Sequence, residues 1–375
     1  MAHDDQVLEV RRTAFGETAL RGLAPVDLSP GQIRLRIDSF AVTANNVSYA
    51  GAGDMLGYWD FFPADDPTTW GRVPAMGWAE IVETTNPDLP VGSRFYGWFP
   101  MASSVVFTAT ATEDGFRDDG DHRAAHAPIY RAYEATDRDP FYPGAPDDAP
   151  EGEDRHAVLR VLFLTGFLAD EFFADNGGAD GPAYFGAEQV IVLSASSKTA
   201  IGFAQRAAKR DGLRVVGLTS AGNADFVRSL GYYDAVVTYD EIDTVEQIDS
   251  VVIDMAGNPN VIAAVHAHLG DHLRYSMMVG RSHHDAVASG AAALAGPAPQ
   301  FFFAPVDVER RIGIWGRQEY QRRTAEALTE FIEGSRSWMR IERRTGPDGV
   351  VSAWADIYAG NVPPAVGIVA SYRDT

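Results

Sequence analysis

The chain has 375 residues, with 52 acidic side chains against 31 basic ones and a formal net charge of −21. That charge opposes a nucleic-acid or anionic-membrane partner, and 46% hydrophobic residues exclude wholesale disorder. The absence of cysteine excludes disulfides, thiolate nucleophiles, iron–sulfur clusters and cysteine-ligated zinc. No run approaches the ~20 apolar residues of a membrane span, and Met1–Arg12 is too polar for a signal peptide, so a cytoplasmic protein is expected. Only two of the basic residues are lysines, Lys198 and Lys209.

Length suggests about two domains. Residues 1–108 read as short strands: Ile33–Ile37, Ala79–Glu83 and Ser93–Trp98 alternate or cluster apolar residues between turn signals such as Asn86-Pro87-Asp88. Residues 109–155 carry 13 acids against five bases and several prolines. Two readings stay open for them: a solvated excursion, or a lid whose aromatic residues Tyr130, Tyr133, Phe141 and Tyr142 cover a site.

From His156 the pattern changes. Val158–Phe167 has helical spacing, and Gln189–Leu193 reads as a buried strand. A helix over about Thr199–Asp211 follows, then a strand at Leu213–Leu218, a helix at Ala224–Leu230 and strands at Ala235–Thr238 and Val251–Asp254. A helix over Val261–Leu269 and a strand at Leu273–Val279 complete the series. Strands alternating with helices mean βαβ units and a parallel sheet. Phe301–Phe303 reads as one further strand and Gln318–Glu333 as a helix. The tail 337–371 alternates again and ends in apolar Val366–Ala370, which suggests a return to the first domain.

The strongest functional signal is the loop after the first of these strands, Ser194-Ala195-Ser196-Ser197-Lys198-Thr199. Phosphates bind at such strand-to-helix turns on free amides at the positive end of the helix. The glycine fingerprint G-x-G-x-x-G is replaced here by small and hydroxyl residues. Lys198 is either a phosphate ligand or a solvated first-turn residue. The end of the next strand, Thr219-Ser220-Ala221-Gly222-Asn223, has no acid until Asp225. Hydroxyls and an amide accept a ribose 2′-phosphate, which an acid would repel, so NADP is favoured over NAD. The alternative is a polar turn with Asn223 capping a helix. Asp254 either orients a ligand or caps the helix near Pro259. His283 and His284 make a poor metal pair, because neighbours on a strand point apart, and a substrate or nicotinamide-loop role stays open for them. No metal site is expected.

These pieces resemble the medium-chain dehydrogenase/reductases, in their zinc-free quinone-oxidoreductase and enoyl-reductase branch. Ile33–Asn46 resembles the family's strand ending in a polar active-site turn. Gly77–Glu83 followed by Val91–Phe95 is similar to its G-x-G-x-V…V-G-D-R-V signature, Val190–Ala207 to its phosphate loop, and Val236–Tyr239 to its adenine-side strand end. Ser194–Ala200, Tyr58–Pro63 and Asp254–Asn258 look like an uncharacterised bacterial family of this superfamily, a domain of unknown function.

The resemblance implies an α/β protein: a Rossmann doubly wound parallel sheet at 156–336 plus a mainly β, chaperonin-10-like catalytic domain at 1–155 with 337–375. It also implies a homodimer, with Phe301–Phe303 the strand to test. The cofactor residues would be Ser194, Ser196, Ser197, Lys198, Thr199, Thr219, Ser220, Asn223 and Tyr239. Tyr49, Tyr58 and Asn46 would position a substrate carbonyl for hydride transfer from NADP, with ordinary packing the alternative for each tyrosine. Trp59, Phe61, Phe62, Trp70 and Trp78 suggest an apolar, aromatic pocket for a small-molecule substrate, or core. The expected activity is reduction of a carbonyl or activated alkene. A non-redox, lyase-like enzyme and a non-catalytic dinucleotide-binding protein remain open beside it.

Overall fold

A computed structural model describes residues 5–144, 151–255, 257–279 and 294–373. The chain forms two compact units, Met1–Arg160 with Met339–Thr375, and Val161–Trp338.

The first unit is built on strands. β1 (Gln6–Arg11), β2 (Ala14–Gly22), β3 (Gln32–Val42), β4 (Trp70–Gly71), β5 (Pro74–Thr84), β6 (Arg94–Pro100), β7 (Ser104–Ala111), β8 (Gly115–Asp118) and β9 (Ala132–Ala135) come first. Helix α1 (Ala44–Gly51) lies between β3 and β4. The order β3-β5-β6-β9-β8-β7, with β7 pairing back onto β3, closes a barrel and leaves no free edge along its seam. Along β3 the predicted alternation holds: Ile33, Leu35 and Ile37 are buried, and Arg34 and Arg36 between them are not.

The described part of 109–155 is not a plain solvated excursion or a lid: it supplies β8, β9 and part of β7, and so closes the barrel. Tyr133 stacks on Phe116 at 4.4 Å inside it and donates to Trp98 O at 2.7 Å. A Cβ at Gly97 would lie 2.4 Å from the Tyr133 ring, so glycine is required there. Charge misled here because the acids are matched locally: Asp119 binds Arg117 and Arg131, and Asp139 binds the buried Arg160.

The second unit holds β10 (Gln189–Leu193), β11 (Arg214–Thr219), β12 (Ala235–Thr238), β13 (Ser250–Asp254), β14 (Leu273–Val279) and β15 (Gln300–Phe302). They pair in parallel in the order β12-β11-β10-β13-β14-β15, the doubly wound arrangement expected from the strand–helix alternation. Helix α2 (Gly152–Ala174) begins in the first unit and ends in the second; α3 (Lys198–Ala207), α4 (Ala224–Ser229), α5 (Pro259–Leu269), α6 (Ala304–Trp315) and α7 (Arg317–Ser335) follow. A Cβ at Gly166 of α2 would meet Phe203 N at 2.7 Å and Thr199 O at 2.8 Å. Glycine there lets α2 lie on the α3 backbone and fixes the helix whose head carries the site.

The tail returns to the first unit as β16 (Arg340–Thr345), α8 (Gly346–Tyr358) and β17 (Val366–Ser371), with β17 antiparallel to β3. Periodicity missed α1, α6 and α8. In α6 and α8 a proline in the first turn starts the helix rather than breaking it, because its missing N–H has no partner there anyway.

Arg123 is wholly buried. It donates to Phe61 O at 3.1 Å and to Tyr130 O, and lies 4.1 Å from the Phe61 ring centroid. Arg123→Ala should therefore destabilise the protein by about 3–5 kcal/mol in urea unfolding, by stranding two carbonyls and Asp118. Arg123→Lys should recover little, because a single ammonium cannot span the fork.

Candidate functional site

Parallel strands put their carboxyl ends on one sheet edge, and the loops after β10, β11 and β12 meet there. Ser194 follows β10 with φ +54°, the left-handed region that a glycine usually fills. The loop is held by backbone and side-chain hydrogen bonds instead of glycine freedom. Tyr233 donates to Ala195 O at 2.9 Å, Ala195 N donates to Leu218 O at 3.0 Å, and Ser197 N donates to Ser194 O at 2.8 Å. Ser197 then caps α3, accepting from Ala200 N at 3.3 Å.

The structure brings most of the predicted cofactor residues together. Asn223 Nδ2 donates to Ser196 Oγ at 3.1 Å, linking the ends of β11 and β10. Its side chain makes no cap bond to α4, so the capping reading of Asn223 falls. Ser194 Oγ and Tyr239 Oη are 3.4 Å apart, joining β10 to the turn after β12. Ser220 is exposed and Thr199 buried. Thr219 is fully buried, and its Oγ1 has no hydrogen-bond partner among the described residues. Lys198 is the first residue of α3, and burial pushes its ammonium down to about 8. Lys209 lies past the end of the shorter α3 and pairs with Glu330.

Asp254 is buried and accepts from Gly257 N at 2.9 Å. The cap of α5 is Asn258, which accepts from Asn260 N and Val261 N, so the capping role expected of Asp254 belongs to it. His283 and His284 lie outside the described residues. Among the described residues no group of three or more His, Asp or Glu is placed to hold a metal, and no helix is long and apolar enough to cross a membrane.

In the first unit, Tyr49 on α1 and Tyr58 in the turn 58–60 lie 4.8 Å apart, centroid to centroid. Tyr49 also packs on Trp98 at 5.3 Å and accepts from Asn45 Nδ2 at 3.4 Å. Burial raises both phenols well above their ordinary range, so both stay protonated donors. Asn46 does not join them. It is buried, accepts from Thr43 N at 2.6 Å and donates to Pro74 O at 2.8 Å, which spends its polar atoms on holding α1.

The expected pocket aromatics are core. Trp59, Phe61, Phe62 and Trp78 are buried, and Trp78 donates to Glu153 O at 2.9 Å. Trp70 lies between Arg11 and Arg21. Sequence reasoning missed Tyr233, which has no motif around it. It also missed Tyr130 as a partner of Tyr58; its only signal was an aromatic ring in an acidic stretch.

The closed barrel with its returning tail and the 3-2-1-4-5-6 parallel sheet are the fold of the medium-chain dehydrogenase/reductases. The chain belongs to the family described as protein of unknown function DUF2855, whose model matches residues 40–363. No curated protein matches it. Among solved structures it is similar to CurA from Vibrio vulnificus, at 12% identity and TM-score 0.60 over 99% of each chain. CurA has also been solved in complex with NADPH. The CurK enoyl reductase is similar at 13% identity and TM-score 0.54, over 98% of this chain and 99% of that one. A probable oxidoreductase from Mycobacterium abscessus matches at 12% identity and TM-score 0.55, over 98% of each.

A lysine whose pKa falls on folding costs stability while it is charged. The cost is complete below about pH 8 and fades as the folded protein loses its proton between about 8 and the ordinary 10.5. Lys198→Met should therefore raise the melting temperature at pH 7, and the gain over wild type should shrink above pH 8.

Proposed function

We propose that the protein is a cytoplasmic, zinc-independent reductase that uses NADP(H) to reduce a carbonyl or activated alkene of a small-molecule substrate. The observation that carries this reading is the make-up of the sheet edge over β10–β12. Hydroxyls, an amide and one ammonium converge there, and the end of β11 carries no carboxylate. An acid at that strand end would favour a ribose 2′-hydroxyl; its absence suits a 2′-phosphate.

The residues present fit such a cofactor. The first-turn amides of α3, with Ser194, Ser196, Ser197, Lys198 and Thr199, would hold the pyrophosphate. Thr219, Ser220, Asn223 and Tyr239 would surround the 2′-phosphate. The buried hydroxyl of Thr219, which has no partner among the described residues, is the kind of group a ligand oxygen satisfies. When bound, NADPH supplies the hydride. The chain's part is to bind it, to orient the substrate and to hold a proton near the substrate's oxygen. Tyr49 and Tyr58 are the donors for that last task, since burial keeps both protonated. Asn46, already committed to Thr43 and Pro74, is left out. The neighbours named as an enoyl reductase and an NADPH complex lend support to this reading. A homodimer would pair through the edge strand β15, where Phe301 is exposed.

Calorimetric titration should find NADPH bound at least about tenfold more tightly than NADH. Binding of neither dinucleotide would sink the proposal. NADPH affinity should also fall as pH rises through about 8, because only the ammonium form of Lys198 attracts phosphate. Thr219→Val should leave NADH binding unchanged and weaken NADPH several-fold, by about 1 kcal/mol. It should not lower the melting temperature of the cofactor-free protein, since the hydroxyl it removes has no partner.

A further inference from the structure

The turn 194–199 contains no glycine, yet Ser194 holds φ +54°. A left-handed serine is disfavoured by about a factor of ten in equilibrium, so something must hold it there. One of the groups that does so comes from beyond the neighbouring strand. Tyr233 precedes β12, and its hydroxyl donates to Ala195 O at 2.9 Å, just past the end of β10. In the sheet, β11 stands between β12 and β10.

The tyrosine crosses β11 at Gly217. A Cβ built there would lie 2.8 Å from the Tyr233 ring and 3.0 Å from the Ala195 Cβ, so any larger residue would displace the ring. Gly217 pairs with Val192 on one side and Val236 on the other and is not left-handed. It is therefore needed for the close approach of a neighbour and not for backbone freedom. The base of the tyrosine is fixed as well. Asp234 N donates to Val215 O at 2.8 Å, and Val215 N donates to Asp234 Oδ2 at 2.8 Å. With Asp234 bound to β11 and the ring seated on Gly217, the hydroxyl is aimed at the loop. Burial raises the phenol, which keeps it a protonated donor.

We propose that Tyr233, seated on Gly217, is a positioning residue for the dinucleotide: it holds Ala195 so that Ser194 stays left-handed and the amides at the head of α3 face the pyrophosphate. The proposal rests on the NADP(H) reading above and adds a residue that acts through Ser194 and Ala195. The space that fingerprint glycines provide within such a loop is provided here one strand away. This role has a signature that ordinary packing lacks. If Tyr233 matters because it offsets the cost of a left-handed serine, its effect must shrink when that cost is removed. Glycine adopts the left-handed region as readily as the ordinary one.

Four full-length proteins test this: wild type, Tyr233→Phe, Ser194→Gly and the double variant. Tyr233→Phe keeps the ring and loses only the hydroxyl. In calorimetric titration with NADPH, Tyr233→Phe should weaken binding about tenfold. In the Ser194→Gly background the same change should cost at most about threefold. Amide hydrogen exchange of the cofactor-free proteins is the second readout. The Ala195 amide, bonded to Leu218 O, should exchange about tenfold faster in Tyr233→Phe. In the Ser194→Gly background the acceleration should be at most about threefold. Gly217→Ala should reproduce Tyr233→Phe in both measurements, because it unseats the same ring. Equal losses of NADPH affinity in the serine and glycine backgrounds, or none in either, overturn the proposal. So does an Ala195 amide whose exchange is indifferent to Tyr233→Phe. A wild type that binds no NADPH overturns the cofactor reading itself, and with it any role of Tyr233 toward a dinucleotide; wild-type binding with uncoupled variants overturns the role of Tyr233 alone.

Discussion

The second unit is organised around one backbone constraint: the head of α3 must come close to whatever binds there, without the glycines that usually permit it. Ser194 adopts the left-handed conformation that costs an L-residue about 1–2 kcal/mol. Such a conformation persists only where the surroundings over-determine it. Here they do. Tyr233, Leu218 and Asn223 each bond a neighbour of Ser194 in the loop, and Tyr239 stands against its hydroxyl. The glycine freedom is replaced by a fixed loop whose side chains add hydroxyls to the edge. Close packing of Gly166 on α3 then sets where that loop lies.

The first unit solves a different problem, the closing of a barrel by a segment rich in charge. Each acid that turns inward has a cation beside it, as Asp139 has Arg160 and Asp118 has Arg123. Burying ions is tolerable only with such pairing. The same cations then do a second job. Arg123 spans the carbonyls of Phe61 and Tyr130, so the charge that lets the segment enter the core also orders the tyrosines beside it. Stability and the arrangement of the aromatic cluster share a residue.

Much of the fold was legible in the sequence because burial leaves a periodic trace. Gln189–Leu193 was readable to the residue, since a strand buried on both faces is a nearly unbroken apolar run bounded by turns. Residues 109–155 were not legible. Their acids read as solvated because net charge along a chain says nothing about where the compensating arginines will sit. The helices α6 and α8 were hidden by prolines whose meaning depends on whether they start or interrupt a helix. Of the candidate site, the loop 194–199 and the ends of β11 and β12 were visible, because a strand-to-helix turn of small polar residues is a local pattern. Asn46 looked like a donor because it stands in the polar turn that ends a strand, yet its partner Pro74 is 28 residues away.

The sequence by itself determined the class of fold, the replacement of the glycine fingerprint by serines, the absence of an acid at the end of β11 and the exclusion of thiolate chemistry. Each of these depends only on residue type and local spacing. Tertiary structure alone decided that Ser194 is left-handed, that Thr219 buries a hydroxyl with no partner among the described residues, and that Tyr58 faces Tyr130 across 72 positions of chain. Those outcomes depend on which buried groups find partners, and partners are set by packing between segments that no local pattern connects.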